Sequence, residues 1–150
     1  PTRVYDENNI LIKHFEGKRQ GFLALKDIGD IPCSFHPFII RNKQKKFEEI
    51  RSQDVYNTAC ILNEHNTKIS MINGAYYKLN LQKKSVTKED GFAHKINLAY
   101  IKYQIKSLKN KNLKIARVFA IRRINNIKYI QWKINNNNKS FYEYLNEKEN

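Results

Sequence analysis

The rhythm of apolar and polar positions changes several times along the chain. Val4-Tyr5 and Ile10-Leu11-Ile12-Lys13-His14-Phe15 flank the polar run Asp6-Glu7-Asn8-Asn9, which predicts two short strands around a turn. Gly17 and Gly21 bracket Lys18-Arg19-Gln20, and Gly29, Pro32 and Pro37 mark an irregular loop. A helix is predicted from Asn42, with Phe47 and Ile50 inward and Lys43, Lys45 and Lys46 outward. Val55, Ala59 and Leu62 recur at i, i+4, i+7 and predict another helix, closed by residues 63–66. Residues 69–72, Asn73-Gly74 and residues 75–79 read as strand, turn and strand, because Asn-Gly accepts the positive φ values of a tight hairpin turn.

Beyond Thr87 the pattern lengthens. Thr87 followed by Lys88-Glu89-Asp90 predicts a helix start, with acids where the helix dipole favours them. Phe92, Ile96, Ala99 and Tyr103 form one stripe; Leu98, Ile101, Ile105 and Leu108 form another. So wide an apolar face predicts the central, buried helix. Residues 113–134 read as a hairpin turning at Asn125-Asn126, since Asn tolerates positive φ. Phe119, Ile121, Ile130 and Trp132 would then share the inner face, and Val118, Arg122, Tyr129 and Lys133 the other. Ser140 opens a short final helix carrying Phe141, Tyr144 and Leu145. The expected fold is one α+β domain over residues 1–150, with antiparallel β-hairpins packed on one long central helix plus shorter helices.

Composition adds a partner to this picture. The chain carries 28 Lys and Arg against 14 Asp and Glu, a formal net charge of +14. Residues 91–142 hold twelve of the basic residues and no acidic one. A block this uneven favours a polyanion, of which nucleic acid is the commonest. The expected function is therefore binding of DNA or RNA by the phosphate backbone, through the helix over 91–109 and the hairpin over 113–134. The residues expected to carry it are Lys106, Lys109, Lys111, Lys114, Arg117, Arg122, Arg123, Lys128 and Lys133, with Tyr129 as a platform on which a base stacks. Like charges on paired strands repel, a cost that an anionic partner relieves. An acidic protein is the alternative partner, with the chain as a basic scaffold.

No run of about 18 apolar residues occurs, so no membrane span or membrane partner is expected. Nor does a charged-then-apolar leader open the sequence. Cys33 and Cys60 fit no CxxC or zinc spacing and suggest a reduced, intracellular setting, cytoplasm or nucleus or nucleoid.

Two patterns point to a small nuclease as the alternative function. Asp6 followed by Glu16-Gly17-Lys18 resembles the restriction-endonuclease-like nucleases over thirteen residues. The resemblance implies Mg²⁺ held by two carboxylates, with Lys18 steadying the attacking water or the phosphate. Apart from that Mg²⁺, no cofactor is expected. An RNase toxin-like chemistry would instead use a histidine as general base and a cation at the phosphorane. His94, beside Lys95, is its first candidate, and His36, near Cys33, the second. GxxxxGK[ST], GxGxxG, GxSxG and HExxH are absent, which argues against nucleotide hydrolysis, dinucleotide redox chemistry and zinc peptidase activity.

Overall fold

The structure is a computed structural model that describes residues 2–6, 8–15, 22–30, 52–70, 77–80, 91–137, 139, 141, 144 and 147. Within them the elements run β1 (Thr2–Tyr5), β2 (Leu11–Phe15), β3 (Phe22–Leu23), a 3₁₀ turn (Leu25–Gly29), α1 (Gln53–Glu64), β4 (Ile69–Ser70), β5 (Tyr77–Asn80), α2 (Phe92–Lys109) and α3 (Leu113–Ile134). Helices dominate, and this corrects the expected α+β arrangement of hairpins on a central helix.

The main correction is α3. Residues 113–134 form one continuous helix, and Asn125-Asn126 lies inside it. The buried positions Ile115, Val118, Phe119, Arg122 and Tyr129 follow a helical period, and one of them is charged. Asn costs little here because both amides are used. Asn126 Nδ2 donates to the Ala93 carbonyl at 2.8 Å, and Asn125 Nδ2 to the Gly29 carbonyl at 3.4 Å. The stretch contains neither Gly nor Pro to stop it.

Helix α2 faces α3 through a tight connection that is a Schellman motif. The Lys111 N–H donates to Leu108 O at 2.9 Å and the Asn112 N–H to Ser107 O at 2.8 Å. Lys111 takes the left-handed position, φ 56°, that Gly usually fills. Asn112 then caps α3, its side chain accepting from the Ile115 N–H at 3.2 Å.

The core lies between these helices, α1 and the 3₁₀ turn. Val55, Ala59 and Leu62 are buried, as the i, i+4, i+7 spacing predicts, and so are Ala99 and Tyr103. Phe119, 0% exposed, is the centre of an aromatic group. Its ring lies 5.3 Å from Tyr103, 5.8 Å from Tyr100 and 5.8 Å from Tyr56, and Tyr56 stacks on Tyr103 at 4.5 Å. Burying each such ring contributes roughly 1.5–3 kcal/mol. Gly29 brings the turn close to α3, where an added Cβ would meet Ile121 at 3.2 Å. Trp132 does not share the Phe119 face. It packs half-buried with Tyr129, Phe141 and Tyr144 in a second cluster at the far end of α3. Phe141, Tyr144 and Glu147 are helical, in line with a final helix; Leu145 lies outside the described residues.

The strands are short. β1 and β2 pair antiparallel, Arg3 opposite His14, and Asn9 takes φ 63° in their turn. β5 joins β1 in parallel, Thr2 opposite Tyr77, and β4 pairs with β3. The strands at 69–70 and 77–80 thus have partners other than each other among the described residues. The Asn73-Gly74 turn, the helix from Asn42, the Thr87 start, Glu16, Lys18, Cys33 and His36 lie outside the described residues.

Candidate nucleic-acid interface

Every charged side chain on α2 and α3 is cationic. A helix advances about 1.5 Å and turns about 100° per residue. Lys102 and Lys109, seven apart, therefore share one face of α2. Lys114, Arg117 and Lys128 share one side of α3, because three and eleven residues are close to whole turns. Lys111 sits between them at the apex of the connection, in the strained backbone position. Lys102, Lys109, Lys111, Lys114, Arg117 and Lys128 are all exposed. Lys109, Lys111 and Lys114 fall within six residues around the connection, so like charge is concentrated there.

Other expected contacts are placed differently. Lys106 is half-buried, its Nζ 5.3 Å above the Tyr56 ring. Arg123 is half-buried, and its Nη1 donates to Gln104 Oε1 at 2.7 Å, which ties α3 to α2. Lys133 Nζ donates to the Asn137 and Lys139 carbonyls and closes the end of α3.

Arg122 and Tyr129 leave the surface altogether. Arg122 is 4% exposed, with Nη1 donating to the Ile28 carbonyl at 2.6 Å and Nε to the Tyr100 hydroxyl at 3.2 Å. Tyr129 is 5% exposed, its ring 4.9 Å from Phe141 and 5.3 Å from Tyr144. Burial raises its hydroxyl pKa above the usual value. A ring so enclosed offers no face for a base. Sequence reasoning placed both residues on a strand face turned to solvent; in a helix the same positions point into the core. Lys102, outside the set expected from the sequence, joins the site, since its i+7 spacing from Lys109 puts both on one face of α2.

The nuclease patterns find different employment. Asp6 Oδ1 accepts from the Asn8 N–H at 2.9 Å and the Ile10 N–H at 2.7 Å, holding the β1–β2 turn as an Asx turn. His94 is exposed in the first turn of α2. Among the described residues no group of three His, Cys, Asp or Glu could hold a metal ion. Nor is any described helix long and apolar enough to cross a membrane.

No protein family, no curated protein and no solved structure matches this chain.

Proposed function

We propose that this protein binds nucleic acid by its phosphate backbone, through the exposed cations of the α2–α3 helical hairpin. The observation that carries this reading is the separation of charge. Residues 91–142 hold twelve basic residues and no acidic one, and seven of those cations, Lys95 among them, stand exposed on the helical hairpin and its apex. Like charges crowded at the apex repel, and phosphates relieve that repulsion while releasing condensed counterions. The strained backbone at Lys111 supports the same reading, since a Gly there would be relaxed but would remove a cation from the apex. With Tyr129 buried, the reading rests on phosphates and not on base stacking. It favours a partner whose phosphates are ordered, so a duplex is the first ligand to try.

The test is a titration with a labelled duplex across a salt series. If about five phosphates are contacted, log K falls with log salt at a slope of about −4.5. Absence of binding at about 50–100 mM salt, or a flat salt dependence, overturns the proposal.

A further inference from the structure

The two long helices leave aliphatic side chains in water. Leu98 is 58% exposed and Ile105 48% on α2, with Leu108 beside them; Ile124, Ile127 and Ile134 are exposed on α3. The spacings are 7 and 3 on α2, and 3 and 7 on α3, so each set is one row about 15 Å long. Tyr103 and Arg122 mark the sides of α2 and α3 that face the core. Ile105 lies about 200° round the helix from Tyr103, and Ile124 about 200° from Arg122. Both rows therefore occupy the outer side of the helix pair, away from α1 and the 3₁₀ turn. The helices are antiparallel, with Gln104 opposite Arg123 and Ala93 opposite Asn126, so the α2 row covers the half of the outer face near the connection and the α3 row covers the other half. Together they make one oblique apolar band about 30 Å long. Lys102 and Lys109 flank its α2 half on the edge away from α3, Arg117 lies across from them on α3, and Lys128 flanks its α3 half on the edge away from α2.

Phosphates cannot account for the band, because a nucleic-acid backbone presents no apolar surface to cover Leu and Ile. We infer that this face docks an acidic amphipathic helix of a partner protein. Its Leu-rich side would cover the band from the α2 row to the α3 row, and its carboxylates would meet Lys102 and Lys109 on one edge and Arg117 and Lys128 on the other. The charge excludes a second copy, whose edges would bring cations against cations. The side chains disfavour a lipid surface. Among the described residues every exposed large apolar side chain is Leu or Ile, whereas bilayer interfaces select Trp, Tyr and Phe. A band about 30 Å long fits a helix of roughly twenty residues, which is the helix-in-groove mode of recognition. This inference stands apart from the nucleic-acid reading, although Lys102, Lys109, Arg117 and Lys128 would serve both.

Two labelled helical peptides of equal negative charge test it in about 0.3 M salt, where charge alone is screened. One carries a Leu face between Glu edges; in the other every Leu is Gln. The wild-type protein should bind the Leu-faced peptide at least tenfold more tightly. The double variant Ile105→Ser/Ile127→Ser, checked by circular dichroism, should lose that preference and keep its duplex affinity. Equal affinity for the two peptides overturns the inference. So does dimerisation of wild type that the double variant abolishes, or binding to phosphatidylglycerol vesicles that depends on Ile105 and Ile127.

Discussion

Replacing Arg122 with Met separates a structural cation from the binding ones. Met keeps most of the volume and removes the charge and its donors. Two buried acceptors lose those donors, the Ile28 carbonyl at 2.6 Å and the Tyr100 hydroxyl at 3.2 Å. Each unsatisfied acceptor costs about 1–3 kcal/mol. The contact of the guanidinium with the Tyr100 ring, 5.3 Å to its centroid, goes too. Against this, a charge no longer has to be held away from water, and a Met fills the space without a large cavity. The net expectation is a loss of about 2–4 kcal/mol, or a Tm lower by about 6–12 °C for a domain of this size. Urea unfolding followed by circular dichroism reads it, with the wild-type slope as the control for unchanged surface exposure. Duplex affinity, measured where the variant is fully folded, should stay within about twofold, because the removed charge never reached the surface. A stability change below about 1 kcal/mol together with a large loss of affinity would refute the assignment of Arg122 to the core.

Lys111→Gly should raise stability by about 0.5–1 kcal/mol, since Gly relieves the positive φ, and should weaken duplex binding and reduce the salt slope by about one unit. Thermal unfolding and a salt titration read the two effects separately. Tyr129 has a pKa raised by burial above its ordinary 10.0. Its neutral form is thus favoured on folding, and that stability is complete below pH 10.0 and lost as pH rises through the folded value. Tyr129→Phe should therefore flatten the alkaline limb of the stability curve relative to wild type. Glu147 has the opposite sign. Hydrogen bonds from Lys139 and then Trp132 hold its carboxyl below the usual range, so its contribution is present at neutral pH and lost on acidification.

The parts of the fold that were legible in the sequence are those set by local periodicity. Val55, Ala59 and Leu62 gave α1, and Phe92, Ile96, Ala99 and Tyr103 gave the buried side of α2. Helix α3 was hidden by two coincidences. Its β-branched and aromatic residues also alternate as a strand would, and Asn125-Asn126 imitates a turn. The helical period becomes visible only if Arg122 is allowed to point inward, and a charged residue is buried only where tertiary partners, here Ile28 and Tyr100, come from distant segments. Of the second stripe of α2, Leu98, Ile105 and Leu108 are exposed, which the apolar pattern does not announce, because periodicity reports a face and not what covers it. Pairing of β1 with β5 joins Thr2 to Tyr77, a contact no local pattern announces. At the site, the charge block needed only counting. Its division into exposed, half-buried and buried cations needed the helices.

The most direct test reverses three exposed cations around the apex, Lys109→Glu, Lys114→Glu and Arg117→Glu together, and compares duplex binding with wild type across a salt series. None of the three side chains is buried, so circular dichroism and Tm should stay close to wild type. The salt slope should fall in magnitude by roughly 3–4 units, because each change removes a favourable phosphate contact and adds a repulsive one, with affinity lowered about equally for all sequences. A folded triple variant with wild-type affinity and slope would contradict the account and place any nucleic-acid contact away from the α2–α3 hairpin.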